Sequence, residues 1–196
     1  MSVLSFGRQP LPRSWTFAVL VVVVLSALIF VANLPRMHVY LKHWGSASPR
    51  VAMPYAALSP DMDEKALRAV MPSLPLRCMS EDKARNGLGD RVCYASLDAA
   101  DGAPALTAAF FFDGGRLAQG VVQVPWWGHH AAARALVAKL GMPEAIQDQR
   151  VKGARLIQWG VANGIVVINR DPGWDPLGWS AVLWTPRPAG SRPAAR

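Results

Sequence analysis

The side chains in this sequence that could carry chemistry are few: two cysteines, four histidines and two carboxylates in one late loop. His129 and His130 are adjacent at the start of a predicted helix, where neighbouring side chains point about 100° apart. Such a pair is poorly placed to share one metal ion, and a helix N-terminus disfavours the charged imidazolium. We therefore predict solvated histidines at this position. A functional pair is the alternative.

The two cysteines flank a polar stretch, residues 81–90. A bond between Cys78 and Cys93 would close a loop of about 15 residues, worth roughly 3 kcal/mol in chain entropy. Free buried thiols and metal ligands are the alternatives, but a zinc site needs four ligands and no histidine lies nearby in sequence. We predict a disulfide, which suits an oxidising compartment, and we assign no metal and no cofactor.

Tryptophan is abundant in the second half of the chain and falls into two groups. Trp159, Trp179 and Trp184 lie in predicted strands, which favours the core. The others lie in predicted loops beside proline and glycine, where an exposed ring can stack on a sugar or anchor a protein partner. These candidate binding residues are Trp126, Trp127 and Trp174. Their alternative role is a lid over one end of the core.

The carboxylates of Asp171 and Asp175 belong to the predicted loop 171–178. Two are too few for a calcium loop, whereas a glycoside hydrolase needs two about 5–10 Å apart across a cleft. The sequence contains no G-x-S-x-G, H-E-x-x-H or P-loop pattern. We assign no catalytic residue. The question of an enzyme stays open, with a binding protein favoured.

An uncharged apolar segment, Trp15–Leu34, dominates the N-terminal part of the chain. As a helix it would be roughly 30 Å long, the thickness of a bilayer's hydrocarbon core. A signal peptide has a shorter apolar region followed by a small-x-small cleavage site, and a core helix of this length would carry a polar face. We therefore predict an uncleaved membrane anchor, with the lipid bilayer as the partner of residues 15–34.

The net charge of +8 is confined to the flanks of the chain. Five basic and no acidic residues precede Val51, three basic residues follow Pro186, and residues 51–186 carry thirteen of each sign. A neutral domain argues against nucleic-acid binding. The two flanks of the anchor carry similar numbers of basic residues, so the positive-inside rule does not decide the orientation. The two cysteines and the ease with which long domains translocate both favour a domain outside the cytoplasm. The Ala/Arg/Gly/Pro bias suggests a bacterial protein. We therefore predict an anchor in the bacterial inner membrane, with the domain in the periplasm or outside the cell.

The predicted organisation has five parts. They are a basic tail (1–14), the anchor (15–34), a juxtamembrane segment and linker (35–54), an exported domain (55–186) and a disordered basic tail (187–196). In the juxtamembrane segment, Tyr40 and Trp44 suit the headgroup zone. The domain is predicted to be α+β: a helix capped by Ser59, three strands, a helix over His129–Leu140 and three strands. The sheet is mainly antiparallel with helices on one face.

Residues 128–169 contain a helix, then Leu140-Gly141-Met142-Pro143, a polar loop and a hairpin. This order resembles the small SmpA/OmlA-type envelope domains and the related β-lactamase-inhibitor-like modules. The chain lacks the lipid-accepting cysteine of that family and has an anchor instead. The resemblance implies only the fold of a small non-enzymatic module that binds other envelope proteins.

The anchor, the neutral domain and the loop tryptophans together favour one function. We predict a single-pass membrane protein whose exported domain binds another envelope component, a protein, in a structural or assembly role. The alternative is a glycan- or peptidoglycan-directed module or hydrolase that uses the loop tryptophans with Asp171 or Asp175.

Overall fold

The structure, a computed structural model, describes residues 13–45, 48–82, 87–151, 154–175 and 177–187. The chain divides into two compact units, Met1–Val39 and Tyr40–Arg196. Most of both predicted basic tails lies outside the described residues, as do the side chains of His43 and Trp44.

The first unit is dominated by one long helix, α1 (Arg13–Gly45), which continues past the unit's end. Its segment Trp15–Leu34 has a mean hydropathy of 2.9 and is long and apolar enough to cross a membrane. The amide of Asn33 donates to the carbonyl of Ile29 at 2.7 Å, so this polar side chain is satisfied by its own helix. A helix with this pattern is compatible with lipid, because lipid offers no partner to a polar group.

The second unit is an α+β domain, as predicted. Its helices are α2 (Glu64–Val70) and α3 (His129–Leu140), and a 3₁₀ turn, Trp126–Gly128, precedes α3. Its strands are β1 (Arg50–Val51), β2 (Arg77–Ser80), β3 (Arg91–Ser96), β4 (Ala99–Ala100), β5 (Ala103–Pro104), β6 (Thr107–Asp113), β7 (Arg116–Pro125), β8 (Ala145–Val151), β9 (Ala154–Val161), β10 (Gly164–Asn169) and β11 (Trp179–Pro186).

Within the described residues, eight of these strands form one fully antiparallel sheet in the order β2-β3-β6-β7-β11-β10-β9-β8. The three short strands form a second sheet, β1-β4-β5. Strand β1 lies inside the segment 35–54 that the sequence suggested as a linker, and Met53 just after it is buried. The folded domain therefore includes the end of that segment.

One row of directly paired residues crosses six strands of the large sheet and forms the centre of the core. The row consists of Cys93, Phe110, Gly120, Trp184, Val166 and Trp159, all buried. Buried residues of α2 and α3, among them Leu67 and Leu136, pack in the same core cluster. Both helices of the domain therefore cover one face of the sheet, because that face carries the largest apolar side chains.

The sequence predicted α3 with its observed bounds, and it placed the start of α2 too early. Ser59 was expected to cap α2, but the cap is Asp63, whose carboxylate accepts from the backbone N–H of Ala66 at 2.7 Å. Residues 60–61 form a turn before the helix. Asp63 is the better cap because its oxygen reaches the third residue beyond it, the usual capping geometry.

The sheet has four main strands on each side of α3, where three and three were predicted. The polar stretch after Gly141 was expected to be a loop, but Ala145–Val151 forms β8 at one edge of the sheet. An edge strand has only one neighbour and carries polar residues without cost. Its sequence, AIQDQRV, therefore lacks the apolar signal from which the other strands were identified.

The predicted bond between Cys78 and Cys93 is present. The two cysteines are directly opposite each other on β2 and β3, with Cα atoms 4.0 Å apart. Strand β2 lies at the other edge of the sheet and is only four residues long, so the bond fastens an element that few backbone hydrogen bonds hold.

Candidate functional site: an aromatic rim and an apolar outer face

The three loop tryptophans named from the sequence lie on the surface, at one end of the sheet. Trp126 and Trp127 directly follow β7 and are 38% and 47% exposed. The indole N–H of Trp126 donates to the carbonyl of Gly173 at 2.6 Å, which joins the start of α3 to the loop before β11. The next residue in that loop, Trp174, is fully exposed. The structure thus brings the two loops together.

Trp179 differs from the prediction, which placed it with the core tryptophans. It is 47% exposed, whereas Trp159 and Trp184 are buried. Trp179 begins β11 opposite Pro125, and the alternation of the strand directs Ser180, Val182 and Trp184 into the core. Trp179 therefore joins the exposed group. We call Trp126, Trp127, Trp174 and Trp179 the aromatic rim.

Tyr40, which the sequence suggested for the headgroup zone, is buried against the domain. Its ring centroid lies 5.1 Å from that of Trp127, and its hydroxyl donates to the carbonyl of Gly178 at 2.8 Å. Burial raises the pKa of the phenol, and the nearby carboxylate of Asp175 raises it further. The phenol therefore stays neutral and acts as a hydrogen-bond donor. These contacts hold Tyr40, the first residue of the second unit, against Trp127 of the aromatic rim and against the loop before β11.

His129 was expected to be solvated, but it is completely buried. Its Nε2 lies 3.3 Å from the carbonyl of Arg170 and its Nδ1 lies 2.8 Å from the hydroxyl of Ser180. Because a carbonyl can only accept, we assign the proton to Nε2, and Nδ1 accepts from Ser180. The ring joins α3 to β11 and to the loop after β10. His130 is exposed, so the two adjacent histidines have different environments.

We expect His129 to make the domain less stable in mild acid. Burial lowers the pKa of its imidazole, and the hydrogen bond to Arg170 opposes this only in part. The unfolded chain then takes up a proton near pH 6.5, while the folded state does so only at lower pH. This contribution to stability is complete above pH 6.5 and is lost as the pH falls below that value. The melting temperature should therefore drop between pH 7.5 and 5.5.

The matched variants for this prediction are His129→Gln and His130→Gln. His129→Gln should have a lower melting temperature at pH 7.5. Its melting temperature should fall less between pH 7.5 and 5.5, since the titrating group is gone. His130→Gln should keep the pH dependence of the unaltered protein. An identical pH dependence in all three proteins would show that the pKa of His129 does not differ between the folded and unfolded states.

Asp171 and Asp175, the carboxylates considered for a hydrolase, have a structural role or are exposed to solvent. Asp175 accepts from the backbone N–H of Leu177 at 3.0 Å and so shapes the loop, and Asp171 is exposed. Among the described residues, one group of metal-type ligands comes together, formed by Glu64, Cys78 and Cys93. Its sulfurs form the disulfide, and Glu64 pairs with Arg68 at 2.9 Å and Arg91 at 2.8 Å. The arginines lower the pKa of Glu64, the hydrogen bond from Arg68 most strongly.

The face of the large sheet opposite the helices carries a second continuous row, which sequence reasoning missed. Its residues are directly paired across five adjacent strands: Tyr94, Ala109, Val121, Leu183 and Val167. All five are apolar or aromatic, and each is only half-buried. We call this row the outer row. The missed signal was the continuous apolar runs AAFFF, IVVI and AVLW, which indicate strands with apolar side chains on both faces.

Comparison with known proteins adds no identity: no family model, no curated protein and no solved structure matches the chain. The resemblance of residues 128–169 to SmpA/OmlA-type domains stays a prediction.

Proposed function

We propose that this protein is a single-pass protein of the bacterial inner membrane whose exported domain binds another envelope protein. The apolar segment Trp15–Leu34 supports the anchor, and the Cys78–Cys93 bond suits an oxidising compartment outside the cytoplasm. The outer row is the proposed docking surface, and it is the observation that carries the proposal.

An antiparallel sheet with one face in water normally alternates apolar residues on the core side with polar residues on the other. The outer row breaks this rule across five strands, a width of about 19 Å at a strand spacing of ~4.8 Å. Contiguous apolar surface of this kind marks an interaction site.

A sheet face suits a protein better than a small molecule, because small ligands bind in concave pockets that enclose most of their surface. A protein interface instead has a broad apolar centre, with aromatic residues enriched and charged residues depleted. Tyr94 and Leu183 in the outer row meet that description. Phe111 extends the apolar surface, because it lies two residues from Ala109 on β6 and therefore on the same face.

A photo-crosslinking amino acid at position 183, introduced into the full-length protein in its native membrane, tests this function. We expect adducts with one or a few envelope proteins. The same amino acid at Val137, which is 39% exposed on the outside of α3, is the matched control and should give none. Equal labelling at the two positions, or adducts with glycan at position 183, would contradict the protein partner.

Leu183→Lys should weaken that capture without unfolding the domain, because the side chain at this position is half-buried and lysine can extend to water. Loss of a central interface residue costs about 2 kcal/mol, roughly 30-fold in affinity. Val137→Lys is the control and should bind as before. The measurement is recovery of the identified partner, with thermal unfolding of each variant alongside it.

A further inference from the structure

The aromatic rim needs a different occupant from the outer row, because its chemistry is different. Its four indoles have large apolar rings and polar N–H groups, and they stand 38–102% exposed at one end of the sheet. So many exposed indoles on one end of a small domain are unusual, since tryptophan is mostly buried in folded proteins. Side chains of this kind are enriched where an apolar phase meets water.

The chain itself limits how far the rim can be from the membrane. Tyr40 is the sixth residue after Leu34, the last residue of the apolar segment. Even a fully extended path of that length covers only about 20 Å. The ring of Tyr40 contacts that of Trp127, and Trp126 is joined to the loop of Trp174. The rim is therefore on a short tether to the end of the span.

We propose that the aromatic rim lies in the headgroup region of the same bilayer that holds Trp15–Leu34. The inference rests on the proposed anchor and is independent of the protein that binds the outer row. Indoles placed there keep the polar N–H in the wet zone and remove ring surface from water, as in the aromatic belts of membrane proteins. The domain would then contact the bilayer directly, in addition to being joined to the span through the chain.

The charges around the rim show which property of the lipid matters. The loop that carries Trp174 contains Asp171 and Asp175 and follows Arg170, so it has no positive excess that would attract anionic headgroups. The contact therefore depends on burial of rings in the interface, and we expect it in zwitterionic lipid and in high salt. A basic surface would instead lose its contact as salt screens the charges.

The test uses the full-length protein in nanodiscs of zwitterionic phosphatidylcholine whose acyl chains are brominated close to the headgroup. The emission of Trp174 is isolated as the difference between the unaltered protein and Trp174→Phe. This substitution leaves the fold intact, because the side chain is fully exposed. We expect Trp174 emission to be blue-shifted, strongly quenched by the brominated lipid, and unchanged in 0.5 M salt, in the manner of an interfacial ring.

Two further difference measurements make the result unambiguous. Trp15→Phe reports the span, and Trp159→Phe reports a buried residue that bromine cannot reach. If Trp15 is quenched while Trp174 is unquenched and has water-like emission, the proposal for the rim is wrong but the anchor is supported. Protection of Trp174 only after addition of a membrane-protein extract would also overturn it, in favour of a protein at the rim. Failure to quench Trp15 would contradict the anchor itself.

Discussion

Replacing Trp159 with alanine is expected to lower the free energy of unfolding by about 3–5 kcal/mol. The ring is 1% exposed and lies at the end of the row of paired core residues that begins at Cys93, directly opposite Val166. Its indole N–H donates to the carbonyl of Gly141 at 2.9 Å, just beyond the end of α3. The substitution removes the ring's packing in the core and leaves this carbonyl without its donor. Denaturant unfolding of the purified protein in detergent measures the loss.

A pair of phenylalanine substitutions separates packing from hydrogen bonding in this prediction. Trp159→Phe should still be destabilising, because the bond to Gly141 is lost. Trp184→Phe should cost less, since its buried indole N–H has no hydrogen-bond partner among the described residues. Trp174→Ala, on the exposed rim, should leave unfolding unchanged. If Trp159→Ala unfolds at the same denaturant concentration as Trp174→Ala, the central position of Trp159 in the core is wrong.

Removing the disulfide is expected to lower the free energy of unfolding by about 2–5 kcal/mol, the usual cost of losing a native disulfide from a small secreted domain. Replacing both Cys78 and Cys93 with alanine avoids leaving one reactive thiol. The effect should be largest at the edge of the sheet, because β2 has one neighbouring strand and four residues. Hydrogen exchange of β2 should therefore increase more than that of β10.

Mass analysis of the intact protein under non-reducing conditions provides the direct check. The bond predicts two hydrogens missing and no thiol labelling after denaturation. Two readily alkylated thiols in freshly isolated protein would contradict both the bond and the compartment from which it was argued.

The sequence predicted those parts of the fold whose signal is local. The bounds of α3 follow from an apolar periodicity that ends at Gly141, where a φ of 85° favours glycine. The turn between β6 and β7 has the same kind of local signal, two consecutive glycines, Gly114 and Gly115, which both have positive φ. The long apolar helix and the disulfide were predicted in the same way, from an uncharged run and a pair of cysteines.

What the sequence could not show depends on residues far apart in the chain. His129 is buried because Ser180 and the carbonyl of Arg170 approach it from the end of the domain. Gly164 is a second example: it begins β10 and pairs with Val161 inside the ladder. A Cβ at Gly164 would overlap the carbonyl oxygen of Thr185, so the neighbouring strand requires glycine at this position.

The candidate site was predicted in part. The positions of Trp126, Trp127 and Trp174 beside proline and glycine correctly indicated surface loops, and Trp126 joins two of them. The outer row was missed, because its five residues come from five strands and become neighbours only through register. Such a row has no motif, because it runs across the strands: on β7, the outer-row residue Val121 has Gln119 and Gln123 as its neighbours on the same face.

The bond between β2 and β3 also determines what proteolysis can release. Lys83 and Arg85 lie between Cys78 and Cys93 in the sequence, so a trypsin-like cut there divides the chain within the ring that the disulfide closes. The part that contains Trp15–Leu34 and the part that contains most of the sheet would remain covalently joined. With the proposed anchor, release of the domain from the membrane after such a cut would need a reductant as well as a protease.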